Sequence, residues 1–152
     1  MRASSQSPAQ KVHTVRARAV GGRAGTVRTP AGTLSFRLTP DELTQSQLGT
    51  NPEELFACSY ASCFSNAVAA AAQWQGLKLP PVAVMAEVDL NRADEKNYSL
   101  SVTLDVSLPQ LDQVTAKKLV TTAHEICPYS RAMQGNIDIT LKVNQEPLAA
   151  AS

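Results

Sequence analysis

Three cysteines, Cys58, Cys63 and Cys127, are the residues best suited to chemistry in this 152-residue chain. A thiol can act as a nucleophile, a redox partner or a metal ligand, and spacing decides which. Metal binding fits poorly: there is no CxxC or HxxxH pattern, and His13 and His124 lie far apart. Cys58 and Cys63 fall within one predicted helix, where five residues turn the chain by about 140°. They face differently and cannot bond to each other while that helix is intact. Cys63 and Cys127 lie on separate elements, so a pairing between them is geometrically open. The plainer reading makes all three small buried hydrophobes. His124, three residues before Cys127, allows a Cys–His pair of the kind thiol hydrolases use. A histidine near a helix C-terminus is more often a surface group favoured by the dipole. By the same reasoning Arg23, in Gly21-Gly22-Arg23-Ala24-Gly25, is a turn residue, and Glu53 is a first-turn partner of the helix dipole.

The helix that must carry Cys63 runs over Thr50–Gln75. Thr50 or Asn51 can cap it, Pro52 suits its first position, and Glu53 and Glu54 suit its positive end. Gly76 and Pro80-Pro81 end it. No charge occurs from Leu55 to Gln75, and a helix apolar nearly all round is buried in a core or an interface. Its serines, Asn66 and glutamines argue against a membrane span.

Around it the periodicity is mostly two. Val12–Val20 and Thr33–Leu38 alternate and predict a hairpin through the glycine-rich turn, with Pro30-Ala31-Gly32 as a second tight turn. Thr39–Gly49 is a polar loop. Val82–Leu90 and Tyr98–Leu108 predict a second hairpin about the polar turn 91–97. Asp112–Ile126 has helical spacing through Thr115, Leu119, Ala123 and Ile126, with Asp112 as its cap. Pro128 makes a break or a fresh helix start, and Asn136–Val143 alternates again. The order ββ-α-ββ-α-β predicts an α+β fold, with helices packed on one face of mainly antiparallel sheet.

Length predicts one domain, residues 11–146, between an arm at 1–10 and a tail at 147–152. A net charge of +1 leaves no electrostatic footprint for nucleic acid. The opening MRASSQSPAQK has no apolar run of the secretory kind, so a cytoplasmic protein is expected. In that reducing compartment a cysteine pair is catalytic or redox-active more often than structural.

Two stretches, TNPEELFACSYASCF and AHEICPYSRAMQGNIDITLKV, together resemble the organic hydroperoxide resistance (Ohr) family of the Ohr/OsmC thiol peroxidases. The resemblance spans about Val12 to Val143. It implies an intertwined homodimer with long central helices wrapped by sheet, and two-electron reduction of an organic hydroperoxide. By position it assigns the attacking thiol to Cys63, the resolving thiol to Cys127, the activating guanidinium to Arg23 and its carboxylate partner to Glu53. It implies no bound cofactor. A lipoylated protein or dihydrolipoamide would reset the Cys63–Cys127 disulfide. Glu53 and Cys63 lie about 15 Å apart along a straight helix. Either the helix breaks or Glu53 serves the site of the partner subunit.

The match has departures. Cys58 and Ser62 replace small unreactive residues of the family pattern, which makes Cys58 a candidate third redox residue, and Arg131 and Gln134 also differ. TNPEEL and CFS resemble the OsmC branch too, an osmotic and oxidative stress group whose arginine lies later in the chain, at Arg37. CPYS and the GGR turn favour Ohr. A reading of another class is a non-catalytic dimer that holds a hydrophobic ligand.

Overall fold

The computed structural model describes residues 9–40 and 49–148, in two compact units divided in sequence between Asn51 and Pro52. Residues 1–8 of the expected arm, 149–152 of the expected tail and 41–48 of the polar loop lie outside the described residues.

The first unit is a three-stranded antiparallel sheet, β1 (Arg18–Val20), β2 (Thr26–Arg28) and β3 (Ser35–Arg37), in that spatial order. The strand expected over 12–20 is therefore paired only at its end. Alternation yields a ladder only opposite a neighbour's N–H and C=O groups, and β2 is three residues long. Val12 and Val15 stay exposed. The second tight turn is present: Gly32 sits at φ 72°, and the Thr29 N–H donates to the Leu34 carbonyl at 2.9 Å. Beyond β3, the Thr39 N–H donates to the Thr50 carbonyl and the Thr50 N–H to the Arg37 carbonyl, at 2.9 and 3.0 Å.

The second unit runs α1 (Pro52–Trp74), β4 (Ala83–Arg92), β5 (Tyr98–Ser107), α2 (Gln113–Ile126), α3 (Pro128–Met133), β6 (Asp138–Val143) and β7 (Glu146–Pro147). Pro52 is the first residue of α1, as its fixed φ favours. Gly76 closes the other end at φ 69°, where the Leu77 N–H reaches the Ala72 carbonyl at 2.9 Å. The Asp112 carboxylate accepts the Thr115 N–H at 3.0 Å and caps α2.

β5 is the spine of the sheet, which has the order β4-β5-β6-β7. It pairs antiparallel with β4 and parallel with β6, the latter reached through α2 and α3. Register places Ala86, Leu104 and Leu141 side by side, with Val88, Val102 and Ile139 in the next row inward-facing as well. Against that face pack Tyr60, Phe64, Val68 and Ala71 of α1 and Leu119, Val120 and Ala123 of α2. The opposite face carries Met85, Asp105 and Lys142. By length and composition α1 could cross a membrane; here its Tyr60, Phe64 and Val68 are fully buried in the core.

This core makes a direct prediction. Leu104 is fully buried on the central strand, so Leu104→Ala should cost about 2–5 kcal/mol. Met85 is 72% exposed on the other face, and Met85→Ala should stay within about 0.5 kcal/mol. Urea unfolding midpoints of the two variants check the difference.

Candidate active site

Cys127 ends α2, its N–H still donating to the Ala123 carbonyl at 2.9 Å. Its own backbone is extended, at φ −63° and ψ 122°, because the following Pro128 disfavours a helical conformation at the preceding residue. Pro128 then starts α3, where its missing N–H costs nothing. The break leaves the Cys127 thiol in contact with Cys63 on α1, with the two sulfurs 3.6 Å apart. A disulfide needs about 2.05 Å, so the thiols touch but are not bonded. Cys127 is fully buried and Cys63 half-buried, which makes Cys63 the more accessible of the two.

Burial pushes the Cys63 thiol above its ordinary pKa, and its hydrogen bond with Cys127 pushes the same way. The Tyr129 backbone N–H, hydrogen-bonded to Cys63, opposes them. Left to these groups Cys63 is a protonated, weakly nucleophilic thiol at neutral pH.

Aromatic rings surround the pair. Phe56 stacks on Tyr129 with centroids 6.3 Å apart, and Tyr60 lies 5.7 Å from Tyr129 and 6.4 Å from Phe64. Tyr60 and Ser130 share a buried hydrogen bond of 2.8 Å. Burial raises the Tyr60 phenol's pKa, only partly offset by that bond. These residues were not singled out in the sequence as site residues. Their signal was available: Phe56, Tyr60 and Phe64 recur every fourth residue along the helix that carries Cys63.

The other candidates are placed as follows. Glu53 lies in the first turn of α1, which continues unbroken past Cys63 to Trp74. The two therefore stay about 15 Å apart along the axis. Cys58 is exposed on a different side of α1 from Cys63 and is a free thiol. His124 is half-buried in the last turn of α2, its Nδ1 buried without a partner among the described residues. The Cys127 thiol donates its hydrogen bond to the Cys63 sulfur. Arg23 sits in the first unit, on a tight turn (Gly22–Ala24) between β1 and β2. A Cβ on Gly25 of that turn would lie 1.8 Å from the Val20 carbonyl oxygen, so only glycine fits there. Arg37, the alternative arginine, is an exposed strand residue whose register puts it on the face of Arg18 and Arg28.

The OsmC-like protein family matches residues 44–142. The chain is 38% identical to the organic hydroperoxide resistance protein OhrB of Bacillus subtilis, covering 86% of this chain and 96% of that one. The crystal structure of OhrB superposes with a TM-score of 0.81 over 88% of this chain and 99% of the other. The organic hydroperoxide resistance protein of Xanthomonas axonopodis pv. citri is 40% identical, over 89% of this chain and 96% of its own. A Legionella pneumophila structure of an organic hydroperoxide resistance protein is 42% identical, with a TM-score of 0.81 over 88% of this chain and 98% of that one. Fold and family model together place the molecule in the OsmC-like class. Within that class, the chain belongs to the organic hydroperoxide resistance family.

His124 gives a pH prediction. Burial holds its folded-state pKa below the ordinary value, and the Glu125 charge only partly offsets this. The unfolded chain then binds more protons than the folded one as pH falls through about 6.5, so stability declines there. Denaturation midpoints should drop between pH 7 and pH 5, and His124→Gln should flatten that slope.

Proposed function

We propose that this chain is a thiol peroxidase that reduces organic hydroperoxides to alcohols as part of an antioxidant stress response. One observation carries the reading: a half-buried thiol on α1 and a buried thiol at the α2–α3 break, held 3.6 Å apart and unbonded. The names of its relatives, organic hydroperoxide resistance proteins, support it. In the first step the Cys63 thiolate attacks the distal peroxide oxygen. The O–O bond breaks, Cys63 becomes a sulfenic acid, and the alkoxide takes up a proton and leaves as the alcohol. Cys127 then displaces the hydroxyl as water and forms a Cys63–Cys127 disulfide. A dithiol, supplied by a lipoylated protein or dihydrolipoamide, returns both thiols by exchange in the reducing cytoplasm.

The thiolate needs a cation, since burial and Cys127 both favour the protonated thiol. We assign that role to Arg23, whose guanidinium is permanently charged and can donate to thiolate and peroxide oxygen alike. The unbroken run of α1 separates Glu53 from Cys63. We therefore assign the carboxylate that holds the guanidinium to the partner subunit's Glu53, in a homodimer with shared sites. The half-buried, stacked rings of Phe56 and Tyr129 suit an alkyl or aryl substituent better than hydrogen peroxide.

Cys63→Ser should abolish consumption of cumene hydroperoxide. Cys127→Ser should preserve the rate of the first equivalent and slow turnover. Arg23→Met should lower the neutral-pH rate by roughly 10²–10³, as loss of a charge-stabilising donor does. That rate should recover as pH rises through the elevated Cys63 pKa, because thiolate then forms without help. Wild-type protein that consumes no hydroperoxide, with hydrophobic-ligand binding left intact by Cys63→Ser, would return the chain to a binder of hydrophobic ligands. A loss seen in Arg37→Met but not in Arg23→Met would select the OsmC arrangement.

A further inference from the structure

We infer that the Tyr60–Ser130 hydrogen bond is a positioning clamp that sets how fast Cys127 resolves an oxidised Cys63. The inference rests on the peroxidase reading for its chemistry, but its geometry stands apart. Tyr60 precedes Cys63 by three residues on α1, and Ser130 follows Cys127 by three at the start of α3. The thiol contact at 3.6 Å and the hydroxyl contact at 2.8 Å are therefore two rungs between the same two segments.

One rung is strong and the other weak. Tyr60 is 0% and Ser130 1% exposed, so neither hydroxyl can turn to bulk water, and each partners the other. The Tyr60 ring is in turn fixed by Phe56, Phe64 and Tyr129, with centroids at 5.8, 6.4 and 5.7 Å. α3 is six residues long and its first turn has no side-chain cap. A helix that short has little stability of its own and takes its orientation from tertiary contacts. The Tyr60 hydroxyl is such a contact, and it acts on the segment that carries Cys127. Sulfur–sulfur contact between thiols supplies no comparable hold.

The clamp matters at the sulfenic acid stage, where two reactions compete. In one, the Cys127 thiol attacks the Cys63 sulfur, forming the S–S bond and releasing water. In the other, a second hydroperoxide transfers an oxygen atom to the same sulfur, giving sulfinic acid and one more alcohol. The first is intramolecular, and its rate depends on how long Cys127 stays within reach. The second depends only on hydroperoxide concentration. Holding Cys127 in place thus protects Cys63 from irreversible oxidation.

Tyr60→Phe removes the clamp and keeps the ring. Stopped-flow reaction with cumene hydroperoxide should show an unchanged rate of sulfenic acid formation. The hydroperoxide concentration that converts half of Cys63 to sulfinic acid, read by mass spectrometry, should fall about tenfold, as loss of one buried hydrogen bond implies. Ser130→Ala should do the same, and the double variant should do no more than either single. In a glutathione redox buffer the Cys63–Cys127 disulfide should become more easily reduced, by about 30 mV for a tenfold change. The glutathione readout needs no peroxide, so it tests the clamp even if the peroxidase reading fails. An unchanged sulfinic threshold with an unchanged potential would overturn the clamp, as would a threshold that shifts only in proportion to a slower first step. A lowered melting temperature with both readouts unmoved would show mere structural support and overturn it too.

Discussion

The arrangement depends on one backbone constraint: Pro128 prevents α2 from continuing and holds Cys127 in an extended conformation. Had the helix run on, residues after Ile126 would have kept its axis and its rotation. The break lets Cys127 end one helix and begin the next, where its thiol meets the middle of α1 at 3.6 Å. Everything around that contact consolidates it. Ala116, Leu119, Val120 and Ala123 bury one face of α2 in the core, and Tyr60 and Phe64 do the same for α1. Burying each large apolar side chain contributes about 1.5–3 kcal/mol. The thiols are therefore held by a packed core, not by a flexible loop.

That same burial opposes the chemistry. A thiol taken out of water resists ionisation, and the neighbouring thiol adds to the resistance. A fold that only packed Cys63 in this way would leave it an inert side chain. The Tyr129 N–H pulls the other way but is a neutral donor. The proposed reaction thus requires a fixed positive charge from outside the core. In the proposed mechanism Arg23 would supply it.

Much of the fold was legible because long regular patterns leave few alternatives. Tyr98–Leu108 alternates over a strand flanked by two neighbours, so its pattern and its ladder agree. Asp112, Gly76 and Pro52 mark helix ends by local geometry that does not need tertiary context. The misses are short. Thr26–Arg28 holds too few residues to show a period, and Glu146–Pro147 fewer still. Val12 and Val15 alternate but lie outside the paired strand and stay exposed. On α2, Leu119 and Ala123 are buried as their spacing implies, whereas Thr115 is half-buried and the neighbouring Ala116 is fully buried. Of the site, the Cys63–Cys127 pairing was open to sequence reasoning and specified by family resemblance, and the spacing of Tyr60 marks a helix face, whereas the Tyr60–Ser130 hydrogen bond was not legible. A tyrosine in an apolar helix reads as core until its hydroxyl partner, seventy residues away, is known.

The most direct test of the account is to oxidise fully reduced protein with one equivalent of an alkyl hydroperoxide and locate the product by peptide mass spectrometry. The account predicts a single Cys63–Cys127 disulfide, Cys58 still a free thiol, and full recovery of both thiols on adding dihydrolipoamide. Oxidation at Cys58, or thiols left intact beside unconsumed hydroperoxide, would contradict it.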